Sequence, residues 1–284
     1  MSRNKMWIAT REYGTWIKCP APGADVSRVG WTSTTQYLNG GAYVRNSSTA
    51  HRVYNWSWNI ASRAELAPLD GFASGIYGDG PIYFYDPTVM DYNVLPEYWA
   101  APSMAISDAP PLLIGATPTS IAVPPNGNGL PVTGARYITG SATSQTLYLP
   151  IPADTDLHIG FYGLATGSSA VRVTPVISGN TTDTPIDLTL LTESSTARMN
   201  ETVSSASYTG ALISITGTGT IDLYGGIAQI LPTGHATIPG GWIPGDGHSG
   251  CRFASRPEET VYSSVRDQIG KSATLIEVGA WEQG

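Results

Sequence analysis

The sequence predicts a mainly β fold in which an antiparallel β-sandwich is inserted between two flanks that are themselves mostly β and carry one short helix. Three observations predict it. Between Pro111 and Pro232 the apolar residues alternate or form short β-branched runs separated by Gly, Asn, Asp and Pro, with no helical period. All eight tryptophans, at positions 7, 16, 31, 56, 58, 99, 242 and 281, lie outside that stretch, which also has no Lys and only three Arg against seven acidic residues. Pro-rich joints, Ser107-Asp108-Ala109-Pro110-Pro111 and Leu231-Pro232-Thr233-Gly234, bracket it, and such joints tolerate inserted domains. The division that follows is 1–108, 109–233 and 234–284, the first and last segments forming one unit.

Each element has a local reason. Met6 to Lys18 and Ala42 to Trp58 read as strands. Ser62-Arg63-Ala64-Glu65 is a capping box, in which the Ser hydroxyl and the Glu carboxylate satisfy orphan backbone donors, and Leu66, Leu69, Ala73 and Ile76 continue the helix. Pro68 removes a donor inside that run, so the helix is kinked there or restarts with Pro68 in its first turn. Tyr77-Gly78-Asp79-Gly80-Pro81 then turns the chain into the strand Ile82 to Tyr85.

In the insert, strands are predicted at Leu147–Leu149, Leu157–Tyr162, Val171–Val176, Ile186–Leu190, Leu212–Ile215 and Ile221–Tyr224. Thr216-Gly217-Thr218-Gly219-Thr220 reads as a hairpin turn between the last two. Ala273 to Trp281 reads as a C-terminal strand.

Composition removes several classes of function. A length of 284 residues supports about two domains, and 41% hydrophobic residues suffice for a core, which argues against disorder. The net charge is −7 and only 13% of residues are charged, so binding driven by phosphate neutralisation, as in nucleic-acid recognition, is not expected. No apolar run reaches the length of a membrane span, and the first residues carry no h-region of a secretory leader. Cys19 and Cys251 lack metal or redox spacing and read as reduced thiols. So little charge beside so many Tyr, Trp, Gly and Thr suits a subunit covered by neighbours, or a β-rich monomer with a hydroxyl-rich surface.

The search for chemistry yields one polar constellation. On an extended strand Asp154, Asp156 and His158 would share one face, with Leu157, Ile159 and Phe161 on the other, so the polar face and nearby Tyr162 form a candidate ligand or metal surface. No metal or cofactor is predicted from it, because any half-buried sandwich strand has such a face. The acidic pairs Glu258-Glu259 and Asp183 with Asp187 do not make a glycosidase dyad: the adjacent glutamates point apart, and Asp183 sits in a turn. His51, His235 and His248 have no zinc spacing, no nucleophile elbow or P-loop occurs, and neither cysteine has an evident His partner. Sequons start at Asn46, Asn55, Asn180 and Asn200. Of the flank aromatics, Trp56, Trp58 and Phe84 are assigned to the core, and Tyr83, Tyr85 and Tyr92 to a subunit interface.

Three runs carry a resemblance: Arg52-Val53-Tyr54-Asn55-Trp56-Ser57-Trp58, Tyr77 to Pro87, and Asn93-Val94-Leu95-Pro96-Glu97-Tyr98-Trp99-Ala100-Ala101-Pro102. With the closing Leu275 to Trp281, they resemble the minor tail proteins of long-tailed phages of actinobacteria, over about residues 40–105 and the last 35 or so. Within that group the resemblance points to the distal tail protein. It implies a β-sandwich ring domain with a helix, discontinuous in sequence, plus an inserted galectin-like or jelly-roll sandwich. It further implies a non-enzymatic structural virion protein at the phage tail tip. The chain would pair with itself as a ring, typically a hexamer, and join the tail tube protein to the tail-tip hub and baseplate, with tape measure or receptor-binding proteins as further partners. The alternative is a carbohydrate-binding adhesion module that contacts the host surface, although the insert has no Trp on which a sugar could stack.

Overall fold

A computed structural model describes residues 4–21, 25–29, 32–36, 42–46, 51–106, 112–140, 142–238, 240–263 and 266–278. The N-terminal part supplies β1 (Lys5–Ala9), β2 (Gly14–Lys18), β3 (Asp25–Val29), β4 (Thr32–Gln36), β5 (Ala42–Asn46) and β6 (His51–Ser62). Helix α1 (Arg63–Ala73), β7 (Tyr83–Tyr85), the short helices α2 (Pro87–Met90) and α3 (Glu97–Ala100), and a 3-10 turn over Pro102–Ile106 follow. The predicted joint at Ser107–Pro111 lies outside the described residues.

The middle part contains β8 (Leu113–Ile114), β9 (Thr119–Ala122), β10 (Thr133–Ile138), β11 (Thr143–Ser144), β12 (Leu147–Pro150), β13 (Thr155–Ala165) and β14 (Ala170–Ser178). It continues with β15 (Thr181–Thr182), β16 (Ile186–Leu188), β17 (Glu201–Ser204), β18 (Gly210–Thr216) and β19 (Thr220–Pro232). The last part holds β20 (Cys251–Phe253), β21 (Glu258–Ser263) and β22 (Gln268–Glu277). The chain is mainly β, as its patterning predicts, and the pairings between its named strands are antiparallel.

The middle part is a two-sheet sandwich. One sheet runs β17-β13-β19-β10-β9; the other runs β12-β18-β14-β15, with β16 also on β14. Leu157, Ile159, Phe161, Ala135, Tyr137, Leu223 and Ile230 of the first meet Leu147, Leu149, Val171, Val173, Ile213 and Ile215 of the second in one core. The segment Thr216–Thr220 is not a hairpin turn: β18 and β19 lie in different sheets, and the segment crosses between them. It lies backbone against backbone on the Thr166–Ser169 turn, where the Ser168 N–H donates to the Thr218 carbonyl (2.9 Å). Gly217 (φ 86°) and Gly219 (φ 146°) permit this close passage, because a Cβ at either would strike that turn's backbone.

The flanks fold together. β22 from the C-terminal part pairs with β6 from the N-terminal part, Val53 opposite Ile276 and Ser62 opposite Gln268. Helix α1 opens on the capping box foreseen at Ser62 and Glu65 and runs through Pro68 as a single helix. Its Leu66, Leu69 and Phe72 join Trp56, Trp58, Ile269 and Leu275 in a second core. Of the described residues of the closing run, Leu275 to Glu277 are strand; positions 279–281 lie outside the description.

Between the two cores sits the small sheet β2-β1-β7, buried on both faces. Strand alternation explains this: Met6 and Ile8 enter the flank core, whereas Trp7, Ala9 and Tyr85 enter the sandwich core. The hydrophobic interior is therefore continuous across the predicted 108/109 boundary. Phe84, facing the flank core with Trp56 and Tyr54, takes the core role assigned to it.

Tyr83 and Tyr85, assigned above to a subunit interface, are instead 1% and 3% exposed. Tyr83 packs edge-on against Tyr148 of the sandwich at 5.1 Å between ring centroids, because the sandwich covers the face that an isolated sheet would expose. Tyr92 is 60% exposed.

Candidate functional site

His158 of β13 lies in the floor of a cleft of about 740 Å³, within the size range of small-molecule sites. One wall is the segment Thr196 to Thr202, which runs along the β13 edge; the other is the return of the chain at Thr237, Ile238 and Gly240. The edge segment lies close because Gly160 has no side chain: a Cβ there would strike the Arg198 carbonyl. It is anchored by the Asn200 N–H on the Ile159 carbonyl (2.9 Å) and by the Tyr162 hydroxyl on the Ala197 carbonyl (3.2 Å). Arg198 donates through Nη1 to the Ile238 carbonyl and so bridges the two walls.

His158 lines this cleft at 8% exposure. Its Nδ1 is 3.1 Å from the Thr202 hydroxyl, and its Nε2 is buried without a hydrogen-bond partner. Burial lowers its pKa and outweighs the opposing Asp156 carboxylate, so the imidazole is neutral at neutral pH. Burial works against ionisation of Asp156, but hydrogen bonds from Ser204 and the Gly234 N–H, with His158 nearby, hold its carboxyl below the ordinary range.

The four residues predicted as a ligand face thus divide. His158 lines the cleft, Tyr162 buttresses its wall, and Asp156 turns to the backbone of Gly234. Asp154 does not share their face: it precedes β13 in a left-handed conformation (φ 63°) that ends the strand pattern. Among the described residues no group of three or more His, Cys, Asp or Glu side chains could hold a metal.

Sequence reasoning missed Arg198, Asn200, Thr202 and Thr237. The charge pattern contained one signal for Arg198. Of the insert's three arginines, Arg136 is bidentate on Asp222 (2.7 and 2.7 Å) and Arg172 on Asp187 (2.6 and 2.9 Å), across strand pairs. Arg198 makes no ion pair among the described residues, and its Nε is buried without a partner. Burial draws its pKa down, against the opposing influence of Tyr162. Asn200 donates to the Thr189 carbonyl (2.6 Å), while its Oδ1 is likewise buried and unpartnered.

Three of the four carboxylates weighed for glycoside hydrolysis are engaged elsewhere, and the fourth, Glu258, is exposed on β21. Asp183 accepts from the Tyr208 hydroxyl, Asp187 pairs with Arg172, and Glu259 pairs with Arg63. Cys251 does have a histidine neighbour, with His248 Nδ1 3.6 Å from its sulfur. The pair is unsuited to nucleophilic work, since burial pushes the thiol pKa up and the His248 pKa down to about 3. Cys19 and Cys251 are both free thiols.

No protein-family model matches the chain, and no curated protein matches it. Among solved structures it is similar to the infectious bursal disease virus VP2 subviral particle, at 12% identity and a TM-score of 0.24, over 96% of this chain and 75% of that one. Overlap at that score does not define a shared fold. No helix among the described residues is long and apolar enough to cross a membrane.

Proposed function

We propose that this chain is a structural protein of a phage virion: a distal tail or tail-tip ring subunit, without catalysis, joining the tail tube protein to hub, baseplate or receptor-binding components. The observation that carries this reading is the sheet that the two ends of the chain build together. Among the described residues, β3 pairs only with β6 and β21 only with β22, so this sheet has open edges on opposite sides. Open edges are templates for strand addition, and pairing one edge with the other of the next copy is a head-to-tail contact that generates a ring when the rotation closes. In β21 the residues Glu258 to Tyr262 are all exposed, with Val261 at 54% and Tyr262 at 60%. Sparse charge and the sequence resemblance support the same reading.

Light scattering with negative-stain imaging of the full chain tests it. The expected result is a closed ring of about six subunits, dispersed by Tyr262→Lys without loss of folded structure. A monomer at every concentration that also fails to assemble on purified tail tubes overturns it, and release of fragments from purified cell wall overturns the non-catalytic part.

A further inference from the structure

The cleft over β13 contains three buried polar atoms that the protein leaves unused: His158 Nε2, Arg198 Nε and Asn200 Oδ1. Buried polar groups are nearly always paired, so three in one cleft point to a missing partner. The two other arginines of the sandwich are matched to carboxylates in bidentate geometry, whereas Arg198 is partly desolvated with only a backbone carbonyl. An anionic group is the partner that a guanidinium in that position lacks.

Around it stand hydroxyls and amides rather than a large apolar wall: Thr202 and Thr237 at the sides, Asn200 as an acceptor, and a neutral imidazole in the floor. One carboxylate, Glu201, also lines the cleft; it accepts from the Thr202 N–H (2.9 Å) and makes no ion pair with Arg198. Met199 and Ile238 add limited apolar surface. This mixture suits a ligand rich in hydroxyls that carries one negative charge.

We propose that the cleft binds an acidic saccharide, its carboxylate taken by Arg198 and its hydroxyls by His158, Asn200 and the flanking threonines. Recognition of this kind relies on hydrogen bonds and does not require the stacking tryptophan that the insert lacks. Because one wall comes from Thr196 to Thr202 and the other from Thr237, Ile238 and Gly240, the site exists only where the sandwich meets the chain leaving it. The proposal is independent of ring assembly.

Saturation-transfer NMR on the full chain tests it with two matched pairs at millimolar concentration, sialyllactose against lactose and cellobiuronic acid against cellobiose. An acidic member of a pair is expected to bind about tenfold or more tightly than its neutral counterpart. Arg198→Gln should abolish that preference, Thr237→Val on the opposite wall should weaken binding severalfold, and Tyr92→Ala should leave it unchanged. Thermal unfolding of each variant shows whether it is folded, and Thr237→Val keeps the test decisive should Arg198→Gln not fold. Absence of transfer to both acidic members overturns the proposal, as does a preference that survives Arg198→Gln. Binding of glycerol 3-phosphate with neither acidic sugar overturns the saccharide assignment. Light scattering on the same samples reads assembly separately, so failure of either proposal is distinguishable from failure of the other.

Discussion

The Arg52 guanidinium donates to Glu97 at 2.6 Å, joining the long flank strand β6 to helix α3. The same side chain donates to the carbonyls of Asp246 and Gly247, each at 3.2 Å, so one 10%-exposed cation gathers three segments that are far apart in sequence. Removing Glu97 takes away the nearer of two carboxylates and leaves the buried guanidinium with Asp246 Oδ1 at 3.5 Å. Glu97→Ala is expected to cost about 3 kcal/mol in urea denaturation, and the apolar double variant Arg52→Met with Glu97→Leu to recover part of that loss.

Acid stability should depend on His248. It packs against Phe84 at 4.1 Å between ring centroids, and its Nδ1 accepts from the Gly250 N–H (3.2 Å), which leaves Nε2 to donate to the Phe84 carbonyl (3.1 Å). Burial, aided by the Arg52 charge, lowers its pKa to about 3 against the opposing Phe84 hydrogen bond. A histidine whose folded pKa lies below its unfolded value contributes stability above the unfolded value. That stability is lost as pH falls from about 6.5 toward 3, at up to about 1.4 kcal/mol per pH unit. Denaturant midpoints measured from pH 7 to pH 4 should fall less steeply in His248→Gln than in the parent.

Gly160 is where the cleft wall rests on β13. Gly160→Ala should push the Arg198–Met199 backbone outward, with a stability loss of about 2 kcal/mol. Amide exchange at Asn200, whose N–H donates to the neighbouring Ile159 carbonyl, should accelerate selectively.

Tyr83→Ala and Tyr85→Ala discriminate core from interface. Both rings are buried between the small sheet and the sandwich, so each truncation should cost about 3–5 kcal/mol in the monomer itself. Loss of assembly with an unchanged unfolding midpoint would contradict their placement.

The legible parts of this chain were those decided by short-range geometry. The capping box at Ser62 and Glu65 is readable because an N-cap and its N3 partner are three residues apart. The strands of the sandwich are readable because alternation repeats every two residues, and His158 could be placed opposite Leu157 for the same reason. The Gly160 contact was not legible, because nothing in a strand's own pattern tells which loop will cross it.

By itself, then, the sequence determined the β class, the helix start and the two faces of each strand, since propensity, capping and pleat act within a few residues. Only the tertiary structure decided that β18 and β19 belong to opposite sheets, that Tyr83 and Tyr85 are buried against the sandwich, and that Arg198 makes no ion pair among the described residues where it lines the cleft with His158. Alternation assigns a residue to a face but not that face to a partner; the partner is chosen by long-range packing of segments whose separation along the chain carries no local signal.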